Sequence, residues 1–246
     1  MDINSAVAAS RLIAQQRALE VTAGNLANSN TPGFRAVRVQ FSDWLSRQSN
    51  ADVPPGGRTI AYTQDRATWR DHQPSSLTTT GNPLDLALTG DGYFTVDTPR
   101  GPRLTRDGRF TTTQDGRLTD TGGNAVLDST GRPIQFGPTD TRISIAGDGT
   151  ISSENGQLAK LGVVRPQDPM QMKGEGDTLY VAGSPTVPVN APGVVQGAVE
   201  GSNVQPILEV TRLIHTQRQF EFVAQFIQAE SDRHKDAIDK ILTPAN

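Results

Sequence analysis

From Asp107 to Gly131 the chain signals a turn every seven to eight residues, at Asp107-Gly108, Asp115-Gly116, Gly122-Gly123 and Gly131. No ordinary helix fits between such signals. Short antiparallel strands do, because Asp-Gly and Gly-Gly tolerate the positive φ that tight hairpins need. The same texture extends to both sides. Leu84–Leu88 and Tyr93–Val96 are apolar runs joined by Thr89-Gly90-Asp91-Gly92, and Arg109-Phe110-Thr111 and Arg117-Leu118-Thr119 read as strand starts. Ile143–Ser152 reads as a hairpin, and Lys160–Arg165 and Leu179–Ala182 as two further strands. Residues 76–185 therefore predict a meander of small strands gathered into a compact barrel or sandwich.

The two ends follow another period. Ile3, Val7, Ala14, Ala18 and Val21, with Leu12, Leu19 and Leu26 beside them, place a broad apolar face on a helix over 3–27. Asp2 or Asn4 suits its cap, and the helix must stop by Thr31, because the residue before Pro32 is pushed out of helical geometry. At the other end, Ile207, Val210, Leu213, Ile214, Phe220, Val223, Phe226, Ile227, Ile238 and Ile241 predict a second long helix over 206–242. Pro206 suits its first turn and Asn203 or Ser202 its cap, while Glu230–Lys240 is more charged and expected to be exposed. Between these regions, Val37, Val39 and Phe41 alternate with polar residues, Ala51–Arg58 reads as a loop, and residues 59–69 read as a strand. The expected fold is α+β: a terminal-helix domain of 1–30 plus 206–246, a connecting extended region of 31–75 plus 186–205, and a β-rich domain of 76–185.

The stretch GNLANSNTPGF, Gly24–Phe34, carries three asparagines and no charge. If Asn25 and Asn28 are both helical, they lie on one side of adjacent turns, beside the small residues Ala23, Gly24 and Ala27. One reading is a frayed helix end. The other is a tight polar joint in which each amide satisfies backbone groups of a neighbour. Thr31-Pro32-Gly33-Phe34 fits a type II turn, which would fix the direction of exit. The terminal helices by themselves bury one face each. The entropy of ordering them, about 1–2 kcal/mol per residue for backbone alone, is not clearly offset. Further apolar partners are expected, and copies of the same helices from other chains are the favoured source.

Composition excludes more than it assigns. The chain has 246 residues with 24 Gly and 16 Pro, a net charge of −3 and no cysteine, which leaves no disulfide and no thiol chemistry. No run of basic charge suggests nucleic acid, no segment is apolar enough for membrane insertion, and no secretory signal reads in residues 1–30. His72, His215 and His234 lack metal-ligand spacing. Gly90-Asp91-Gly92, Gly147-Asp148-Gly149 and Gly174-Glu175-Gly176 lack a phosphate-loop lysine or a dinucleotide fingerprint and read as turns. The Asp-Gly repeats lack the nine-residue ladder of calcium β-rolls. Asp85, between apolar neighbours, reads as an outward-facing or turn residue. No catalytic, cofactor or metal residue is assigned, no small-molecule substrate is implied, and the chain is not read as an enzyme.

Four stretches in order resemble the rod and hook proteins of the bacterial flagellum. AGNLANSNTPGF (Ala23–Phe34) is similar to the family's N-terminal box, with Gly24 in place of its first Asn. TGNPLDLALTGDGYFTV (Thr80–Val96) resembles the central signature, and LTRDGRFTTTQDGRLTDTGGNAVL (Leu104–Leu127) the hairpin array. QGAVEGSNVQPILEVTRLIHTQRQFE (Gln196–Glu221) resembles the lead into the C-terminal helix. Within that family, length and the Thr80–Val96 wording are most like proximal-rod members; distal-rod members are the nearest competitors.

The resemblance implies that the terminal helices pair into a coiled-coil-like core and stack with neighbours in a hollow helical shaft. Its implied partners are copies of itself, other rod proteins and, in transit, the flagellar export apparatus. Its implied location is the periplasm-spanning basal-body rod, reached without a cleaved signal. The expected subunit-interface residues are Ile3, Val7, Leu12, Leu19, Asn25, Leu26 and Asn28 on the first helix, and Ile207, Val210, Leu213, Ile214, Phe220, Val223 and Ile227 on the second. Thr31, Pro32, Gly33 and Phe34 form the expected joint. The competing class is a β-rich binding module for a glycan or peptide, with helical oligomerisation arms.

Overall fold

A computed structural model describes residues 3–48, 58–176 and 178–242. The fold is α+β, with an N-terminal helix, a β-rich middle and a C-terminal helix. The chain divides into two compact units: one of 1–27, 37–70 and 205–246, the other of 28–36 and 71–204.

In the first unit, helix α1 (Ile3–Ala27) packs along helix α2 (Pro206–Leu242). A long antiparallel ribbon, strands β1 (Val37–Gln48) and β2 (Arg58–Arg70), packs against α1. α1 thus has a second packing partner within its own chain, besides α2. A two-stranded ribbon is marginal alone in water, so this contact also supports the ribbon. Ala8, Ala14 and Thr22 of α1 and Val223 of α2 are buried; the small side chains let the elements approach closely. α2 begins at Pro206, with Gln205 before it accepting from the Glu209 amide at 3.0 Å. Ser202 and Asn203 lie too early to cap it, which corrects the expectation. All of the anticipated Ala51–Arg58 loop except Arg58 lies outside the described residues.

In the second unit the main sheet has nine strands and is open rather than closed into a barrel. In spatial order its path runs Lys173–Gly174, Leu179–Val181, Gly101–Thr105, Tyr93–Thr98, Ala125–Val126, Leu118–Thr119 and Thr111–Thr112. Val163–Pro166 branches from it, pairing with both Tyr93–Thr98 and Thr186–Pro188. The Ile143–Ser152 hairpin forms as anticipated, with Ser144–Ile145 on Thr150–Ser153, and Gly156–Lys160 adds a third strand. Lys160–Arg165 is not one strand. It breaks at Leu161-Gly162, where a Cβ on Gly162 would sit 2.5 Å from the Asp128 carbonyl oxygen. Residues 186–200 hold three strands. Val194–Gln196 pairs with Leu86–Leu88, and Ala198–Glu200 with Leu77–Thr79.

The core of this unit is apolar and tight. Leu86, Phe94, Val96, Phe110, Leu118, Val126, Ile134 and Ile151 are all essentially inaccessible, and Phe94 meets Phe110 edge to face at 5.2 Å. A smaller cluster gathers Tyr93, Leu104 and Tyr180.

Outside the core, turn carboxylates hold the loops. Glu154 accepts from the Thr141 hydroxyl and amide and from the Arg142 amide, at 2.6, 3.0 and 3.0 Å. These bonds, the Thr141 hydroxyl foremost, hold the Glu154 carboxyl down at about 2. The folded-state value lies below that of the free side chain. Its stabilising contribution is therefore present above the ordinary carboxylate range and disappears as pH falls toward about 2. NMR titration of the Thr141 and Arg142 amides is expected to show a common midpoint near 2, absent in Glu154→Gln. A midpoint in the ordinary carboxylate range contradicts the loop clamp.

Candidate assembly site

The asparagine-rich stretch feeds two polar joints, one in each unit. In the helical unit, Asn25 at the end of α1 is buried, and its amide binds the backbone of Val37 in both directions. Nδ2 donates to the Val37 carbonyl at 2.9 Å, and the Val37 amide donates to Oδ1 at 2.8 Å. The side chain thereby supplies the first strand of the ribbon with the bonds a neighbouring strand would give. Asn25 Nδ2 also lies 3.4 Å from Glu209 Oε2. Glu209, 1% exposed in the first turn of α2, receives Arg38 and Arg212 on Oε1, each at 2.6 Å. An acid in a first helical turn is favoured by the helix dipole, and here it also ties the strand to the helix.

Asn28 lies outside the helix, which ends at Ala27, so Asn25 and Asn28 do not share a helical side. Instead it begins the second unit's segment. Its carbonyl accepts from the Thr31 amide at 3.2 Å, and its Oδ1 from the Thr31 hydroxyl at 3.0 Å. Thr31-Pro32-Gly33-Phe34 closes as the anticipated turn, with the Phe34 amide 3.2 Å from the Thr31 carbonyl and Gly33 at φ +69°. The Gly33 amide then donates to the Glu200 carbonyl at 2.8 Å.

Beyond the turn, Asn203 and Glu200 gather three segments. Asn203 Oδ1 accepts from the Ala36 amide at 2.7 Å, and its Nδ2 donates to the carbonyls of Asp71 and Gln73 at 2.9 and 3.1 Å. The Glu200 side chain is buried between two guanidiniums: Arg35 Nη2 is 2.7 Å from Oε1 and Arg106 Nη1 is 3.0 Å from Oε2. Arg106 also donates to the Leu88 and Gly90 carbonyls and stacks 5.2 Å over the Tyr93 ring, whose hydroxyl is 3.1 Å from His72 Nδ1. Burial pushes Arg106 below the usual guanidinium range, opposed by Glu200. Burial likewise raises Tyr93, opposed by Arg106 and Arg35. Glu209, Glu200, Arg35 and Arg106 went unmarked in the sequence reading. The one visible signal was a charge closing an apolar strand, Ala198-Val199-Glu200.

The anticipated helix positions divide by exposure. Val7, Leu12, Leu19 and Leu26 on α1 and Leu213, Phe220 and Ile227 on α2 are half-buried, and Val223 is buried. Ile207, Val210 and Ile214 stay exposed, Ile207 at 82%. Ile13 at 70% and Phe222 at 71% join them. The side chain of Ile3 lies outside the described residues. Among the described residues, no group of three or more His, Cys, Asp or Glu is placed to hold a metal ion, and no helix is long and apolar enough to cross a membrane.

Three family models match the chain. One described as flagella basal body rod protein covers residues 6–35, a flagellar hook protein FlgE/F/G D1 domain covers 87–153, and a flagellar basal body rod FlgEFG protein C-terminal covers 195–239. Among similar proteins is a flagellar basal-body rod protein FlgF of Mesorhizobium japonicum, 36% identical over 94% of this chain and 95% of its own. A FlgF of Caulobacter vibrioides is 33% identical over 98% of each. A flagellar basal-body rod protein FlgG of Agrobacterium fabrum is 33% identical over 90% of this chain and 93% of its own.

Proposed function

This chain belongs to the family of flagellar basal-body rod proteins, and we propose that it serves as a subunit of the proximal part of the rod, the shaft that carries motor torque. The observation that carries this reading is the apolar surface left on the terminal helices. α1 and α2 pack on each other and α1 on the ribbon, yet Ile13, Ile207, Ile214, Phe222 and Phe226 stand in water. Each such side chain taken from water contributes about 1.5–3 kcal/mol before the costs of association. Isolated apolar surface residues need no explanation, but a row of them on one helix does. In this reading the terminal helices of neighbouring subunits stack in a coiled-coil-like core. The contacts are head to tail, and a rotation that does not close builds a helical shaft.

The matches to FlgF relatives cover more of this chain than the match to the FlgG relative, which favours the proximal over the distal position. Partners are further copies and other rod proteins, and the chain reaches the basal body through the flagellar export route. The reading assigns it no enzymatic role.

Deleting the coding region is expected to abolish swarming, and the full chain to restore it. A chain lacking residues 206–246 should restore nothing, even where it is stably produced. A deletion strain that swarms normally, or full rescue by the truncated chain, contradicts the shaft role. The second outcome favours a β-rich binding module.

A further inference from the structure

Val210, Ile214, Phe222 and Phe226 are exposed and fall on a four-residue spacing along α2, and the missing member of that row is Arg218. Rows of side chains four apart are ridges that helices insert into each other's grooves. Arg218 is thus a cation standing inside an apolar ridge. It is exposed, and among the described residues it takes part in no ion pair. It lines a groove between α1 and α2 together with Arg11, Gln15, His215 and Phe222, and among the described residues no carboxylate lines that groove. Arg11 is likewise without an ion pair among the described residues, and Gln15 Oε1 is buried there without a hydrogen-bond partner.

The rest of the helix surface is arranged differently. Arg17 meets Glu20, Arg212 meets Glu209, and Arg233 meets Glu230, each within one turn. Covering the ridge with another apolar helix would strand the guanidinium of Arg218 unless the incoming surface brought an anion. Two guanidiniums and an imidazole around one groove make that demand specific.

We propose that the Arg11–His215–Arg218 groove receives a carboxylate from a second copy of this chain, and that this pair sets the register in which the terminal helices of neighbouring copies meet. The inference rests on the rod reading above. The chain carries its own complement. Glu221 is exposed, flanked by Phe220 and Phe222, and follows Ile214 by seven residues, so it lies on the same face of α2 as the ridge. Among the described residues its carboxylate meets only the Gln217 amide of the preceding turn, at 3.1 Å, and does not pair with Arg218 three residues away. Apolar contacts along a ridge tolerate sliding by a turn; a charge inside the ridge does not.

The test is charge exchange in the full chain, expressed in the deletion strain. Swarm diameter and the amount of chain in purified basal bodies are the readouts. Arg218→Glu and Glu221→Arg are each expected to lower incorporation by about tenfold or more, and the chain carrying both changes to recover most of it. Both positions are exposed, so circular dichroism of the purified variants should match the parent. Arg218→Glu incorporating like the parent overturns the proposal, and so does failure of the double change to recover. If the deletion strain swarms normally, the rod reading itself fails and takes this inference with it.

Discussion

Glu200→Gln is expected to destabilise the protein by about 3–5 kcal/mol, the largest effect of any single side-chain truncation of charge in this chain. The carboxylate is 1% exposed and lies between guanidiniums that are themselves buried. Breaking a buried pair by neutralising one partner leaves the other charge uncompensated, which costs more than the intact pair contributes. Neither arginine can swing out to water without further loss. Arg106 is held by two carbonyls and the face of Tyr93, and Arg35 also donates to the Gln73 carbonyl. The glutamine retains an acceptor for one of them and presents an amide hydrogen to the other. For a unit of this size the melting temperature should fall by roughly 10 °C. Added salt should not restore it, because a buried pair is little screened. A loss under about 1 kcal/mol in denaturant unfolding would mean that the cluster is hydrated in solution and that its charges are not truly desolvated.

That cluster also marks where sequence reasoning stopped. Local signals carried well. Turn glycines placed the hairpins at Asp115-Gly116 and Gly122-Gly123 but not at Asp107-Gly108, whose flanking strands do not pair; helical periodicity placed α1 and α2 to within a residue or two, and Pro32-Gly33 predicted a type II turn that is present with the required positive φ. Local signals failed where one residue changes the pattern. The ribbon's register shifts where Gln40 and Phe41 face Ala67 and Asp65, an extra residue on the partner strand, and β1 runs on to Gln48, well past the Val37–Phe41 alternation. The sequence left Asn28 open, one residue past the expected helix end; its side chain accepts from the Thr31 hydroxyl and closes a turn.

The site divides the same way. Spacing along α2 picked out Val210, Ile214 and Phe226 as apolar positions but not Phe222, because it shows which residues share a face and not which face stays uncovered. The ionic joint was not, because nothing in the local sequence says that Glu200 will meet Arg35 and Arg106, or that Asn203 will bind Ala36 rather than cap a helix. Those pairings are products of topology: strand Ala198–Glu200 comes back beside Leu77–Thr79, close to the Gly33 turn.

The turn itself supplies the second large effect. Gly33→Ala is expected to lose at least about 3 kcal/mol, the sum of placing an L side chain at positive φ and of forcing it into filled space. A Cβ there would lie 2.3 Å from both the Arg106 carbonyl carbon and the Asp107 amide nitrogen, and 2.7 Å from the Arg106 oxygen. These are backbone atoms, which cannot rotate away as a side-chain tip can. They form the peptide between Arg106, which anchors Glu200, and Asp107, so any retreat strains the ion cluster as well. Two other glycines separate the contributions. Gly123, at φ +81° with open space around it, should lose only about 1 kcal/mol on change to alanine, the conformational part alone. Gly24, inside α1 with nothing within 4 Å of its would-be Cβ, should gain up to about 1 kcal/mol from helix propensity. Melting temperatures should therefore fall in the order Gly24→Ala, parent, Gly123→Ala, Gly33→Ala. If Gly33→Ala melts with Gly123→Ala, the turn does not sit against the Arg106-Asp107 peptide. The Asn28–Phe34 segment would then lie loose from the β-rich unit to which its hydrogen bonds now tie it.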